Sequence, residues 1–368
     1  MNVSKRDVIV VGAGPAGLTV ARYCAAYGLD VVVLERKESV GSVVRCGEYL
    51  ASNEEVLEMF PRAYELEELH RSVEGCVQRE FDTFSVHSPK GRTYIVPFEG
   101  MTIDRPQFEK NLAAAAERKG AEILLDTHAR SVSGEEVVTS KGTVRGRIVV
   151  GADGPSSRIA RGVGLPRPAQ LYRAVTTFVE GDIPDEAALY FGRLSPGAYA
   201  WIFPKNGTAN AGLGVWERFD GSLSGLLRSW LRGMGLTWQA IHGKLVPATG
   251  PVSPTQKGNV LIVGDAAGHV IPTTGGGMQT AMICAREAAK AISAHLSTGA
   301  PLEDYEAASR RIVWKRLRNG VRIKNLADWV FWSDPLTDMA MRVLGTKGIG
   351  RVLRCQRLFR PEKTQNGD

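Results

Sequence analysis

The chain has 368 residues, 43% hydrophobic and 23% charged, with a formal net charge of +7, which suits a soluble globular protein of two or three domains. No run of eighteen apolar residues occurs, which argues against a membrane span, and the chain enters its first apolar strand almost at once, leaving no room for a signal peptide. The five cysteines, Cys24, Cys46, Cys76, Cys284 and Cys355, are widely spaced with no CxxC, so a disulfide scaffold and a metal site are both poor readings and a reducing cytoplasm is expected.

In chain order, the apolar run Val8 to Val11 ends in Gly12-Ala13-Gly14-Pro15-Ala16-Gly17. This is a strand, a glycine turn and a helix from about Pro15 to Tyr27, whose positive N-terminal end would face a pyrophosphate. A second strand, Val31 to Leu34, ends at Glu35, 23 positions after Gly12, where a carboxylate suits a free adenosine ribose hydroxyl. Residues 39–52 form a loop containing Arg45-Cys46-Gly47-Glu48. Short strands are expected over Phe81 to His87 and Thr93 to Val96, then a helix opened by Thr102 to Arg105 and running to about Lys119. Strands follow at Glu122 to Leu125 and Val144 to Val150, the latter stopped by Gly151-Ala152-Asp153-Gly154. Residues 166–255 are β-rich, with strands near 173–179, 187–191, 199–204 and 209–216. A third apolar run, Val260 to Val263, ends in Gly264-Asp265-Ala266-Ala267-Gly268, and a helix follows over 276–295. The remainder is mostly helical.

Three strands stopped by glycines, two of the turns carrying Asp, point to bound FAD. The expected fold is α/β: a discontinuous Rossmann-type FAD-binding domain (1–75, 100–165 and 256–300), an inserted antiparallel β-sheet substrate domain (76–99 and 166–255) and a helical, basic C-terminal region (301–368).

These turns resemble those of the FAD enzymes of the para-hydroxybenzoate hydroxylase fold group. A narrower likeness rests on further segments. Gly41 to Glu48 resembles the Arg-Cys-Gly-Glu segment of archaeal geranylgeranyl reductases, and Tyr199-Ala200-Trp201-Ile202-Phe203-Pro204-Lys205 with Gly212-Leu213-Gly214 resembles their YxWxFP…GxG signature. Pro272 to Gly277 is similar to the family's flavin-adjacent loop. The resemblance implies a reductase that saturates the trisubstituted alkenes of geranylgeranyl chains on archaeal membrane glycerophospholipid precursors. It implies FAD contacts at Gly12, Gly14, Ala16, Gly17, Glu35, Arg45, Cys46, Gly47, Arg105, Ala129, Asp265, Gly276, Gly277 and Met278, with Asp265 on the ribityl hydroxyls. It also implies Cys46 near the reacting alkene, and an electron donor such as reduced ferredoxin or NAD(P)H. Readings that stay open are an FAD monooxygenase or halogenase of the same fold group and a non-catalytic prenyl-binding chaperone.

Tyr199, Trp201 and Phe203 alternate along a strand and so share a face, an apolar wall suited to a polyprenyl chain or to an inter-domain core. Cys46 fits a proton relay or a buried small side chain. His269 reads as a loop histidine beside the flavin region. Residues 309–368 hold fourteen Lys or Arg against five Asp or Glu. Arg310, Arg311, Trp314, Lys315, Arg316, Arg318, Arg322 and Lys324, followed by Trp329, Phe331 and Trp332, suit either peripheral contact with the inner face of the cell membrane or an ordinary charged helix. No nucleic-acid motif accompanies this charge.

Overall fold

The computed structural model describes residues 5–358. Its first sheet runs in the order Gln256–Lys257, Val260–Ile262, Gly142–Gly151, Arg6–Val11, Val31–Leu34 and Glu122–Leu124. Arg6–Val11 pairs in parallel on both sides, Val10 facing Val33 and Val150, and both faces of the sheet are covered, which explains why these strands are unbroken apolar runs. Pro15–Ala26 packs against Met278–Thr298 and Arg105–Arg118 on one face. On the other lies a small antiparallel extension, Ala129–Ser133 and Glu136–Thr139, joined to Gly142–Gly151.

The second sheet has nine strands, in the order Thr237–Trp238, Leu171–Glu180, Ala209–Val215, Ala200–Pro204, Ala187–Tyr190, Val77–His87, Thr93–Ile103 and Tyr49–Ala51, with His242–Pro247 also paired to Leu171–Glu180. It is antiparallel except where Ala187–Tyr190 joins Val77–His87 in parallel. One concave side of this sheet faces the carboxyl ends of the first sheet's strands, and the cavity between them is described below.

Local differences from expectation have local causes. The hairpin Val77–His87 and Thr93–Ile103 is longer than expected, because Pro97 sits beside a register shift between Phe81 and Thr83 and interrupts pairing without ending the strand. Thr102 and Ile103 therefore close a strand, and the helix begins at Arg105, capped by the Asp104 carboxylate accepting from the Gln107 amide at 3.0 Å. The helix expected from residue 276 begins at Met278, with Gly277 at its N-cap. From Asp304 to Leu353 the chain is helical, with a π-turn over Arg310–Trp314, a turn at 331–333 between Lys315–Val330 and Asp334–Leu353, and a break at Gly345; the part of the expected C-terminal region beyond residue 358 lies outside the described residues.

Candidate active site

At the first glycine turn, backbone approaches backbone. A Cβ on Gly12 would lie 2.4 Å from the Ala152 carbonyl oxygen, and one on Gly17 would lie 2.0 Å from the Gly12 carbonyl oxygen, so both positions exclude a side chain. The first two glycine turns are thus packed on one another. Gly14 is the N-cap of Pro15–Ala26 and supplies no capping side chain, so the helix's first amides are left for a ligand. The Glu35 carboxylate is buried beside this turn, accepting from the Ala13 amide at 2.8 Å and the Lys37 amide at 3.0 Å. Ala129 lies near it, two residues after Thr127, whose amide donates to the Glu35 carbonyl at 2.7 Å. Asp153 serves its own helix: its carboxylate accepts from the amides of Arg158 and Ile159 at 2.7 and 3.2 Å.

A cavity of ≈ 390 Å³ begins at Gly14 and Ala16 and runs between the two sheets. Arg45, Cys46, Gly47, Arg105, Asp265, Gly276, Gly277, Met278, Tyr199, Trp201 and Phe203 all line it, so residues up to 233 positions apart meet on one surface. Gly12, Gly17 and Glu35 stand behind its Gly14 end, whereas Ala129 does not line the cavity and packs in the core cluster of Val11 and Leu34. At the far end, the helix Met278–Thr298 also starts without a side-chain cap, and its dipole points into the cavity. Asp265 pairs with Lys244 at 2.9 Å. A long groove with one uncapped helix start at each end, and a buried carboxylate beside the first, fits the shape and charge of FAD: pyrophosphate at Gly14, flavin ring at Met278.

The aromatic wall is formed as the alternation implies. Tyr199 lies one residue before the strand Ala200–Pro204, and its hydroxyl donates to the Thr274 carbonyl, joining the wall to the flavin-side loop. Ring centroids step 6.1 Å from Tyr199 to Trp201 and 6.3 Å on to Phe203. Phe203 continues into Tyr49 and Phe84, at 5.3 and 5.8 Å, two aromatics that sequence spacing gives no reason to select. The glycines of the signature are packing partners of this wall. A Cβ on Gly212 would lie 2.3 Å from the Trp201 ring, and one on Gly47 would lie 2.8 Å from the Phe203 ring.

Beside the wall, on the same face of the sheet, is a buried polar hub that the sequence reading missed. Asn210 directly opposes Phe203 in the sheet. Its carboxamide oxygen accepts from Trp201 Nε1 at 2.9 Å and from Thr176 Oγ1 at 2.8 Å, and its Nδ2 donates to the Cys46 carbonyl at 2.9 Å and to Glu48 Oε2 at 3.0 Å. Every bond that the carboxamide offers toward the Cys46 loop and Trp201 is therefore made. Glu48 is 1% exposed and sits at φ 58, a costly conformation for a non-glycine residue. Lys205 Nζ compensates its charge at 3.0 Å, and the Arg105 amide adds a bond at 3.1 Å.

Cys46 is partly exposed to the cavity, whereas the other four cysteines are buried. The Arg105 side chain is directed at the Cys46 sulfur and at Glu109, whose Oε1 accepts from Arg105 Nε at 2.9 Å. Burial disfavours the guanidinium charge, but the sulfur and the carboxylate outweigh it and its pKa is raised. Burial pushes the Tyr199 hydroxyl up as well. His269 is fully buried behind the turn, 6.4 Å from the Tyr305 ring, and burial lowers its pKa to about 4.

The fold and this groove define a flavoprotein oxidoreductase. The FAD binding domain model matches residues 5–189 and 248–320, and the geranylgeranyl reductase catalytic domain model matches 169–231. The chain belongs to the geranylgeranyl reductase family of FAD-dependent enzymes. It is 35% identical over 332 residues to digeranylgeranylglycerophospholipid reductase 2 of Methanopyrus kandleri, covering 82% of this chain and 79% of that one. It is 31% identical over 379 residues to digeranylgeranylglycerophospholipid reductase 2 of Methanothermobacter thermautotrophicus, covering 95% and 94%. Among solved structures, a geranylgeranyl bacteriochlorophyll reductase-like protein from Thermoplasma acidophilum superimposes with a TM-score of 0.75 at 22% identity, covering 95% of this chain and 99% of that one. The flavin-dependent brominase Bmp2 shares the fold with a TM-score of 0.71 at 18% identity, covering 96% and 94%.

Proposed function

We infer that the chain saturates trisubstituted C=C bonds in the geranylgeranyl chains of archaeal-type membrane glycerophospholipid precursors. The observation that carries this is the meeting of the Cys46 loop, the Tyr199–Trp201–Phe203 wall and the uncapped start of helix Met278–Thr298 in one cavity.

An isolated alkene has no group to withdraw charge, so a proton must reach one carbon as a hydride reaches the other. Reduced FAD, when bound, supplies the hydride. The remaining tasks fall to this chain. Gly14, the Pro15–Ala26 helix start and Glu35 would hold the dinucleotide, and Asp265, now paired with Lys244, would hold the ribityl chain. The amides at Gly277 and Met278 would favour negative charge on a flavin ring seated against them. The aromatic wall would exclude water from the developing cationic carbon and hold the polyprenyl chain beside the flavin. Cys46 shapes the site and relays the proton; Arg105 beside it limits how far a positive charge can build there. Electrons enter from reduced ferredoxin or NAD(P)H, and the lipid is met at the inner face of the cell membrane.

The test is anaerobic. The flavin is reduced with dithionite and a detergent-dispersed geranylgeranyl glycerolipid is added, with flavin absorbance and lipid mass followed together. Reoxidation with a gain of two mass units per double bond is expected. Stable reduced flavin with unchanged lipid refutes the reading, and oxygen consumption with bromide turnover would replace it with halogenation.

A further inference from the structure

Thirteen large hydrophobic side chains are exposed among the described residues, and six of them fall between residues 326 and 343: Leu326, Trp329, Trp332, Leu336, Met339 and Val343. Trp329 is 66% exposed and Val343 is 76% exposed. Leu336, Met339 and Val343 follow helical spacing along one face of Asp334–Leu353, and Leu326 and Trp329 lie on the outer face of Lys315–Val330. Trp329 and Trp332, on either side of the turn between the two helices, both pack on Trp216, so the exposed residues gather at one junction and are not a scatter of single residues.

This is not the surface that the basic run in the sequence suggests. Arg310 is tied to Glu306 and lies over the Trp314 ring, Arg316 bonds the Met59 carbonyl, and Lys324 is buried against Asp328. Arg310 also bonds Ser253 and Lys324 also bonds Gln170, so with Arg316 these residues hold the helices to the body of the protein.

Two further observations say what covers the exposed face. First, its charge is one-sided. Residues 315–353 contain eight Lys or Arg and three Asp. Asp328 is buried, Asp334 pairs with Arg193, and Asp338 is bonded to Ser88 and Arg342. Lys315, Arg318, Arg322 and Lys347 are exposed, and the Arg218 guanidinium lies over Trp216 and Trp329. Secondly, the opposite face of Lys315–Val330 is a wall of the cavity, through Ile323, Ala327 and Asp328, and Phe331 follows them. One helix thickness, about 10 Å, separates the exposed apolar face from the cavity assigned to the polyprenyl chain.

We propose that the face formed by Leu326, Trp329, Trp332, Leu336, Met339 and Val343 lies in the headgroup boundary of an anionic lipid bilayer. Tryptophans and aliphatic side chains enter the interface while the surrounding Lys and Arg meet lipid phosphates. This places the enzyme where its substrate is dissolved and rests on the prenyl-reductase reading only for the benefit gained, not for the binding itself.

The experiment uses the FAD-loaded full chain with vesicles of phosphatidylcholine containing about 30% phosphatidylglycerol, the charged fraction that draws basic interfacial helices. Wild type co-sediments, and added salt weakens but does not abolish it. The variant Leu336→Ser/Met339→Ser/Val343→Ser, and separately Trp329→Ser, keep the flavin spectrum and lose at least tenfold in vesicle binding. Wild type left in the supernatant, or variants that sediment like wild type, overturn the proposal. So does a wild-type dimer that the triple variant converts to monomer, since a second copy would then cover the face. Turnover of detergent-dispersed lipid is measured in parallel and is unchanged by the variants. Its absence in wild type refutes the reductase reading while leaving the vesicle result to stand or fall alone.

Discussion

Asn210→Ala is the most informative single change. It deletes an acceptor used by Trp201 Nε1 and Thr176 Oγ1 and a donor used by the Cys46 carbonyl and Glu48. Two of these groups have other partners: Thr176 Oγ1 also reaches the Ala211 carbonyl at 3.2 Å, and Glu48 keeps Lys205. Trp201 Nε1 and the Cys46 carbonyl are left unsatisfied, each costing about 1–3 kcal/mol in a buried setting. The expected loss is therefore about 2–6 kcal/mol, toward the low end if water fills the space vacated by the carboxamide. Because the Cys46 loop loses its tether, even about 2 kcal/mol of easier local opening raises the open population roughly 30-fold. Cys46 is the partly exposed cysteine, so iodoacetamide labelling read by peptide mass reports this loop while the buried thiols stay silent. Labelling at least tenfold faster, with the unfolding midpoint lowered, is expected. Labelling at the wild-type rate with unchanged stability would show that Asn210 does not hold the loop, and the site geometry drawn from it would be wrong.

Cys46→Ala is expected to keep FAD and lose at least tenfold in alkene reduction; unchanged turnover ends its proposed role. Trp201→Ala should weaken prenyl-lipid binding by tenfold or more while flavin affinity changes little, and an equal loss of both would make the wall ordinary core. Gly47→Ala forces a Cβ to 2.8 Å from the Phe203 ring, and should cost about 1–3 kcal/mol in denaturant unfolding. His70 and His269 are lowered by burial from 6.5 to about 4, so unfolding adds protons between these values. Their stabilisation is complete above pH 6.5 and is lost as pH falls toward 4, with a slope of up to about 1.4 kcal/mol per pH unit for each proton. His269→Gln should remove one proton's share of that slope in urea titrations, and an unchanged slope refutes the assignment.

The cofactor half of the groove was legible because its requirements are local. A turn in which two backbones touch admits only glycine, so Gly12 and Gly17 announce themselves, and Glu35 follows at a fixed distance along two strands. The signature aromatics were legible by alternation. Asn210, Glu48 and Lys205 were not, because what makes them important is a contact across more than 150 positions, and a lone Asn in a strand carries no pattern. The strand expected over Thr93 to Val96 runs on through Pro97 for the opposite reason: a strong local breaker is tolerated where a bulge has already released its partner. The basic C-terminal run was legible as charge, but burial decides which charges reach solvent, and the apolar stripe after it alternates with inward residues only once the helix is built.

The last described turn of the chain is tied to its beginning. Arg354 bonds Glu55 and the Pro97 carbonyl, Cys355 Sγ lies 3.2 Å from Thr273 Oγ1 in the flavin-side loop, and Leu353 lines the same cavity as Gly14. The carboxyl-terminal helix is therefore a wall of the cofactor groove, and shortening the chain before Leu353 would remove that wall and the Arg354 and Cys355 ties together, opening the flavin-side loop to solvent.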